Sequence, residues 1–196
     1  SSLGCIAASE KSFINWKSPF LGHNIGGEYP VDAIIKELKE NKMVGVANGK
    51  AEFGPRALGN RSLLADPRGE EIKDLVNGIK RRQKFRPFAP AILEEDVNDY
   101  FTLPKSVQNT PYMQFTAACT HGKDFPAIIH HDNTSRVQTV RKTDNPGFHA
   151  LLTEWKKQTG CPILLNTSLN IKGQPIVNDR EDGKAFTNKY GVKVLG

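Results

Sequence analysis

The densest concentration of side chains able to do polar chemistry lies in EFGPRALGNRSLLADPR, from Glu52 to Arg68. Gly54-Pro55 and Gly59-Asn60 form turns readily, and Arg56, Arg61 and Arg68 fall within thirteen residues. Glycine lets a backbone come close to a ligand, and a guanidinium group offers paired hydrogen bonds to phosphate or carboxylate. The same residues also suit a tight surface loop whose arginines are solvated or salt-bridged. Neither GxxxxGK[ST] nor a helix-opening GxGxxG occurs, which excludes two widespread nucleotide cradles.

A second cluster is IKRRQKFRPFAP, Ile79 to Pro90. Lys80 and Arg86 flank a helix-to-strand junction and converge only if that junction turns them together. Phe85, Pro87, Phe88 and Pro90 could wall a planar base or be core, and basic charge with aromatics also fits a nucleic-acid groove. In HHDNTSRVQTVR, His130 to Arg141, two histidines and Asp132 invite a metal reading. Adjacent residues of a strand point to opposite faces, so the pair chelates poorly and no metal site is expected. Thr134, Arg136 and Gln138 would share one face.

The last cluster, LLNTSLNIKGQPIV, places Asn166, Thr167, Ser168 and Asn170 after an apolar run. Such a turn can hold a ligand or simply cap and brace itself. If the strand continues to Ser168, Asn166 and Ser168 lie on one face. Ser168 is not expected to be a nucleophile, because the spacing puts no histidine or lysine beside it. Together, the cationic side chains, the few acids near them and the amide and hydroxyl turns describe a site for a polyanion such as ATP or an acyl phosphate.

The elements that must position these residues follow from periodicity. PVDAIIKELKEN, GEEIKDLVNGIKRRQ and NPGFHALLTEWKKQTG read as amphipathic helices, with EEDVNDYF as a short one. Met43–Asn48, Pro87–Leu93, Ser135–Val140 and CPILLNTS read as strands. The mixed order favours α+β over a doubly wound sheet. Residues 1–29, with Phe13, Trp16 and Phe20, read as an irregular linker or tail, and residues 30–196 as the domain. No run approaches the ~20 apolar residues of a membrane span, and the N-terminus lacks the pattern of a secretory signal. Cys5, Cys119 and Cys161 lie far apart without a CxxC, which points to a reducing cytoplasm. The formal charge of +6 is modest for a nucleic-acid binder.

GKAEFGPRALGNRSLLADPR, NGIKRRQKFRPFAPAIL, HHDNTSRVQTV and TGCPILLNTSLNIKGQPIV resemble, in order, the signature blocks of the C-terminal domain of O-carbamoyltransferases, the nodulation and antibiotic-tailoring group. The resemblance implies a YrdC-like fold, an α/β twisted open sheet with a concave, positively charged site. It implies that ATP and carbamoyl phosphate form carbamoyladenylate there with release of pyrophosphate, Mg2+ entering on the nucleotide phosphates. A separate N-terminal Kae1-like domain, absent from this chain, would then pass the carbamoyl group to a hydroxyl. By motif position Lys80, Arg86 and Ser168 are implied as catalytic and Arg56, Arg136 and Asn166 as substrate-binding. Asn166 would bind the carbamoyl group, and Ser168 would donate to a phosphate oxygen. Gln83, Asn133, Leu169 and Gln174 depart from the family's usual residues. The alternative class is an RNA-binding module without catalysis; neither nucleic acid nor membrane is expected as a partner on the enzyme reading.

Overall fold

The computed structural model describes residues 9–10 and 18–196, so the expectations for Cys5, Phe13 and Trp16 lie outside the described residues. In chain order the elements are β1 (Phe20–Ile25), α1 (Val31–Asn41), β2 (Met43–Ala47), β3 (Gly49–Glu52), β4 (Arg61–Ala65), α2 (Glu70–Ile79) and β5 (Ala89–Leu93). A 3-10 turn leads into α3 (Val97–Tyr100), then β6 (Phe101–Thr102), β7 (Thr116–Cys119), β8 (Thr134–Arg136) and β9 (Gln138–Val140). The chain closes with α4 (Pro146–Thr159), β10 (Ile163–Ser168), α5 (Arg180–Tyr190) and β11 (Val194–Leu195). The class is α+β, as the mixed order of elements suggests.

A six-stranded sheet in the order β11-β2-β4-β10-β5-β9 forms the centre. Its strands β2, β4 and β5 are buried along their whole length, because both faces of the sheet are covered. On one face Ile34 and Leu38 of α1 and Phe148, Leu152 and Trp155 of α4 pack on Val44, Val46, Leu64 and Leu164. On the other, Ile72 and Val76 of α2, Phe186 of α5 and Phe101 pack on Met43, Leu63, Ile92 and Leu165. The period-two alternation of Met43/Val44 and Leu63/Leu64 sends successive side chains to opposite cores.

Local sequence explains the helices around it. Asn145 caps α4 by accepting from the Phe148 N–H at 3.0 Å, Pro146 fills the first turn, and Gly160 ends the helix at φ 71°. The expected strand Ser135–Val140 is divided at Val137. Its first half, β8, belongs to a separate β6-β7-β8 antiparallel sheet, whereas β9 runs parallel to β5. Within the stretch read as irregular, β1 pairs antiparallel with β3. Four of its six residues are exposed, so no buried alternation announces it.

The arginines of the Glu52–Arg68 cluster separate completely. Arg61 opens β4 fully buried, donating to the carbonyls of Asn48, Gly49, Asn60, His23 and Asn178 at 2.8–3.2 Å. Burial pulls its pKa down, while Glu52 and Asp179 oppose the shift. Arg68 pairs with Asp66 at 2.7 Å. Between them the Glu52 carboxylate accepts from the N–H groups of Leu58, Asn60 and Arg61 and so shapes the loop. Gly59 sits at φ +118° with the Phe148 ring 2.4 Å from where a Cβ would lie, which makes glycine obligatory at this turn. Arg56 and Arg68 are both exposed, and of the two only Arg56 has no partner among the described residues.

Arg61 is thus a strut. Arg61→Lys, which cannot reach five carbonyls at once, should cost on the order of 3 kcal/mol in chemical denaturation. Arg56→Ala should leave the midpoint nearly unchanged.

Candidate functional site

Strand β10 is antiparallel to both β4 and β5, so its C-terminal end lies beside their starts. Asn166 is opposite Ala89, and Ser168 is opposite Ser62. The loops entering β4 and β5 therefore meet at the end of β10. Arg136, just before β9, joins them because β9 runs parallel to β5. This topology gathers four stretches of sequence around one cavity of about 370 Å³.

Arg56, Arg82, Arg86 and Arg136 line it, together with Phe88, His130, Asn166, Thr167 and Ser168, and no carboxylate is among the lining residues. The side chains of Arg56, Arg86 and Arg136 make no hydrogen bond or ion pair with any described residue. The Arg136 Nε is buried without a partner, and burial, followed by Arg56 and Arg86, lowers its pKa. Arg82 is braced by a 2.7 Å hydrogen bond to Asn77 Oδ1 and lies 4.3 Å from the centre of the Phe88 ring. Burial, then Arg86 and Arg136, brings its pKa down to about 10.

Asn166 is 2% exposed, and its amide nitrogen donates to the Ala57 carbonyl at 3.0 Å and to Gln138 Oε1 at 2.7 Å. Both protons are used, and Oδ1 is left buried with no partner. A lining residue with a bare acceptor of this kind is suited to an N–H donor on a ligand.

Lys80 opens on an adjoining basin of about 520 Å³ that shares Arg82 and Arg86 with the first. Its Nζ donates to the Ser168 carbonyl at 2.7 Å, to Ser168 Oγ at 3.3 Å and to Asn170 Oδ1. The junction thus does bring Lys80 and Arg86 to one wall. Burial, then Arg82, lowers the Lys80 pKa to about 8. The expectation that no base stands beside Ser168 is overturned by this contact, which connects residues 88 apart in the chain. Ser168 still gives its proton to Asn170 Oδ1 at 2.8 Å, so Lys80 acts as a clamp on the β10 turn.

Five of the six expected site residues, Arg56, Arg86, Arg136, Asn166 and Ser168, line the first cavity and Lys80 the second. The sequence alone places neither Arg82 nor His130 in this site, and offers His130 only as half of a poorly chelating pair. Arg82 follows the end of α2 and was legible only as a favourable charge at that end, and His130 sits in a turn where the strand argument does not apply. Gln138 accepts from the Asn166 amide and is not among the residues lining this cavity. Phe85 is 75% exposed, while Phe88 is buried and forms cavity wall. Of the departures, Asn133 adopts φ +59°, a left-handed conformation that asparagine tolerates, and Leu169 is fully buried core. Among the described residues no group of three or more His, Cys, Asp or Glu side chains could hold a metal ion, and no helix is long and apolar enough to cross a membrane.

The sequence model of the family described as Carbamoyltransferase C-terminus matches residues 35–196. The chain belongs to that family. It is 46% identical over 148 residues to nodulation protein NolO of Bradyrhizobium diazoefficiens, covering 74% of this chain and 27% of the relative. It is 37% identical over 161 residues to 3'-hydroxymethylcephem-O-carbamoyltransferase of Amycolatopsis lactamdurans, covering 82% of this chain and 30% of that protein. The chain therefore spans less than a third of these relatives. Its fold is similar to part of the full-length HypF crystal structure in its phosphate- and nucleotide-bound form, with TM-score 0.60, 18% identity, and coverage of 87% of this chain and 21% of that one.

The charge state of Lys80 gives a direct check on the basin. With a pKa of about 8, Lys80 is charged below that pH and neutral above it. ATP affinity, followed by calorimetry, should weaken as pH rises through about 8, and Lys80→Arg should hold its affinity to higher pH because guanidinium stays protonated.

Proposed function

We propose that this chain is the adenylating domain of an O-carbamoyltransferase. It binds ATP and carbamoyl phosphate and, with one water molecule, forms carbamoyladenylate and releases phosphate and pyrophosphate. The observation that carries the reading is a cavity with four arginines, no carboxylate, and one buried unpartnered acceptor, Asn166 Oδ1. Such a set suits a ligand that is strongly anionic and carries an N–H group. A carbamoyl phosphate or carbamoyladenylate has both.

Formation of the adenylate is attack of a carbamoyl oxygen on the α-phosphorus of ATP. Charge accumulates on phosphoryl oxygens, so positioning and cationic stabilisation count for more than a protein nucleophile. Arg56, Arg86 and Arg136, without partners among the described residues, would take the phosphates. Arg82 would do the same from a fixed position, since Asn77 and Phe88 hold it. Lys80 would keep the Ser168 turn in shape while adding charge at the wall of the second basin. Asn166 Oδ1 would accept from the carbamoyl NH2 group and distinguish it from an ester or plain phosphate. Mg2+ would enter on the nucleotide phosphates, which need few protein ligands. Transfer to a hydroxyl would belong to a further, Kae1-like N-terminal domain, and the YrdC-like label for this part rests on the motif resemblance.

Exchange of labelled pyrophosphate into ATP, dependent on carbamoyl phosphate, tests the reading; no exchange and no nucleotide binding would refute it. Arg86→Ala should depress exchange by on the order of 10²-fold, the scale for losing one preorganised electrostatic donor. Its melting temperature should barely move, because removing one cation from the cluster relieves repulsion.

A further inference from the structure

The reaction proposed above consumes one water molecule. Carbamoyl phosphate and ATP yield carbamoyladenylate and pyrophosphate only if the phosphate of carbamoyl phosphate also leaves, and that requires one water molecule. A group that takes a proton from this water is then needed in the cavity. Arginines hold their protons near neutral pH, and Asn166 and the hydroxyls are poor bases. His130 is the imidazole among the lining residues.

The turn around it fixes the ring. The His130 N–H donates to the Thr134 carbonyl at 2.8 Å, and His130 Nδ1 is 2.9 Å from Thr134 Oγ1. Thr134 Oγ1 is in turn 2.7 Å from Asp132 Oδ1, which also accepts from the Thr134 N–H at 3.1 Å. These bonds, the hydroxyl's first, hold the Asp132 carboxyl below its usual range, so it is an acceptor only. The single hydroxyl proton of Thr134 is therefore committed to Asp132, and its lone pair must receive a proton from Nδ1. In the neutral ring this leaves Nε2 with the lone pair.

We propose that His130 is the general base for hydrolysis of carbamoyl phosphate in this cavity, with Thr134 and Asp132 as positioning residues that set its tautomer, an inference that rests on the adenylating reading above. The water oxygen bonds to phosphorus as its proton passes to Nε2. The bridging P–O bond breaks, and its electron pair leaves with carbamate. Hydrogen phosphate is the other product, and His130 returns the proton to solvent. A carbamate oxygen then attacks the α-phosphorus of ATP and displaces pyrophosphate.

Two assays on the same chain separate this role from binding. One follows phosphate release from carbamoyl phosphate. The other follows pyrophosphate exchange fed by ammonium bicarbonate, which supplies carbamate in solution without hydrolysis of carbamoyl phosphate. His130→Gln should lower phosphate release by on the order of 10²-fold or more, and carbamate-fed exchange by less than about tenfold. Thr134→Val should lower phosphate release by about tenfold, the usual effect of losing an orienting partner, with little effect on carbamate-fed exchange. Equal losses in both assays, or unchanged phosphate release in His130→Gln, would overturn the inference while leaving adenylation standing. A wild-type chain that exchanges label from neither source would overturn adenylation and this inference together.

Discussion

Four guanidinium groups share one cavity without a carboxylate to neutralise them, and their mutual repulsion constrains everything around them. Arg136 and Arg82 both have lowered pKa values, each from burial first and neighbouring arginines second. A cluster of this kind stays together only if each guanidinium is carried by a rigid element. Arg82 is tied to α2 through Asn77, whose own amide also donates to the carbonyls of Lys84 and Arg86 at 3.0 and 2.9 Å. Arg136 ends β8, a strand held by β7. Arg56 rides on the loop that the Glu52 carboxylate organises. The doubly covered sheet supplies the stiffness from which these supports project.

The same constraint divides the cations by job. Arg61 and Arg68 are spent on backbone carbonyls and on Asp66, and Lys80 on the Ser168–Asn170 turn. Arg61 and Lys80 brace the start of β4 and the end of β10, while Arg56, Arg86 and Arg136 have no side-chain partner among the described residues. An unpaired cation facing a cavity is costly to fold, and the cost is recovered when an anion binds. On the function proposed above, these donors are binding equipment rather than leftover surface charge.

Much of this was legible from residue order alone. The periodicity of PVDAIIKELKEN and NPGFHALLTEWKKQTG marks α1 and α4, and Gly160 marks the end of the latter, because local pattern decides such helices. The persistence of the strand to Ser168 was conditional in the sequence and proved correct, which puts Asn166 and Ser168 at one cavity. What escaped depended on distant partners. β4 was hidden in RSLLA because Arg61, a charged residue, is buried among five backbone carbonyls, four of them 12 or more residues away. α5 was hidden because REDGKAFTNKY buries little beyond Gly183 and Phe186. Arg82 and His130 could be assigned to the cavity only once β5, β8 and β10 were brought side by side.

If the cluster exists to bind a polyphosphate, ligand binding must stabilise the fold by mass action. The most direct measurement is the melting temperature of the chain titrated with ATP at constant ionic strength. Saturation at about 100 times the dissociation constant should add about 2.7 kcal/mol of stability, a clear upward shift that Arg86→Ala and Arg136→Ala reduce. A shift no larger than that from an equal ionic strength of sodium chloride would contradict a phosphate-binding site and leave the arginines as ordinary surface charge.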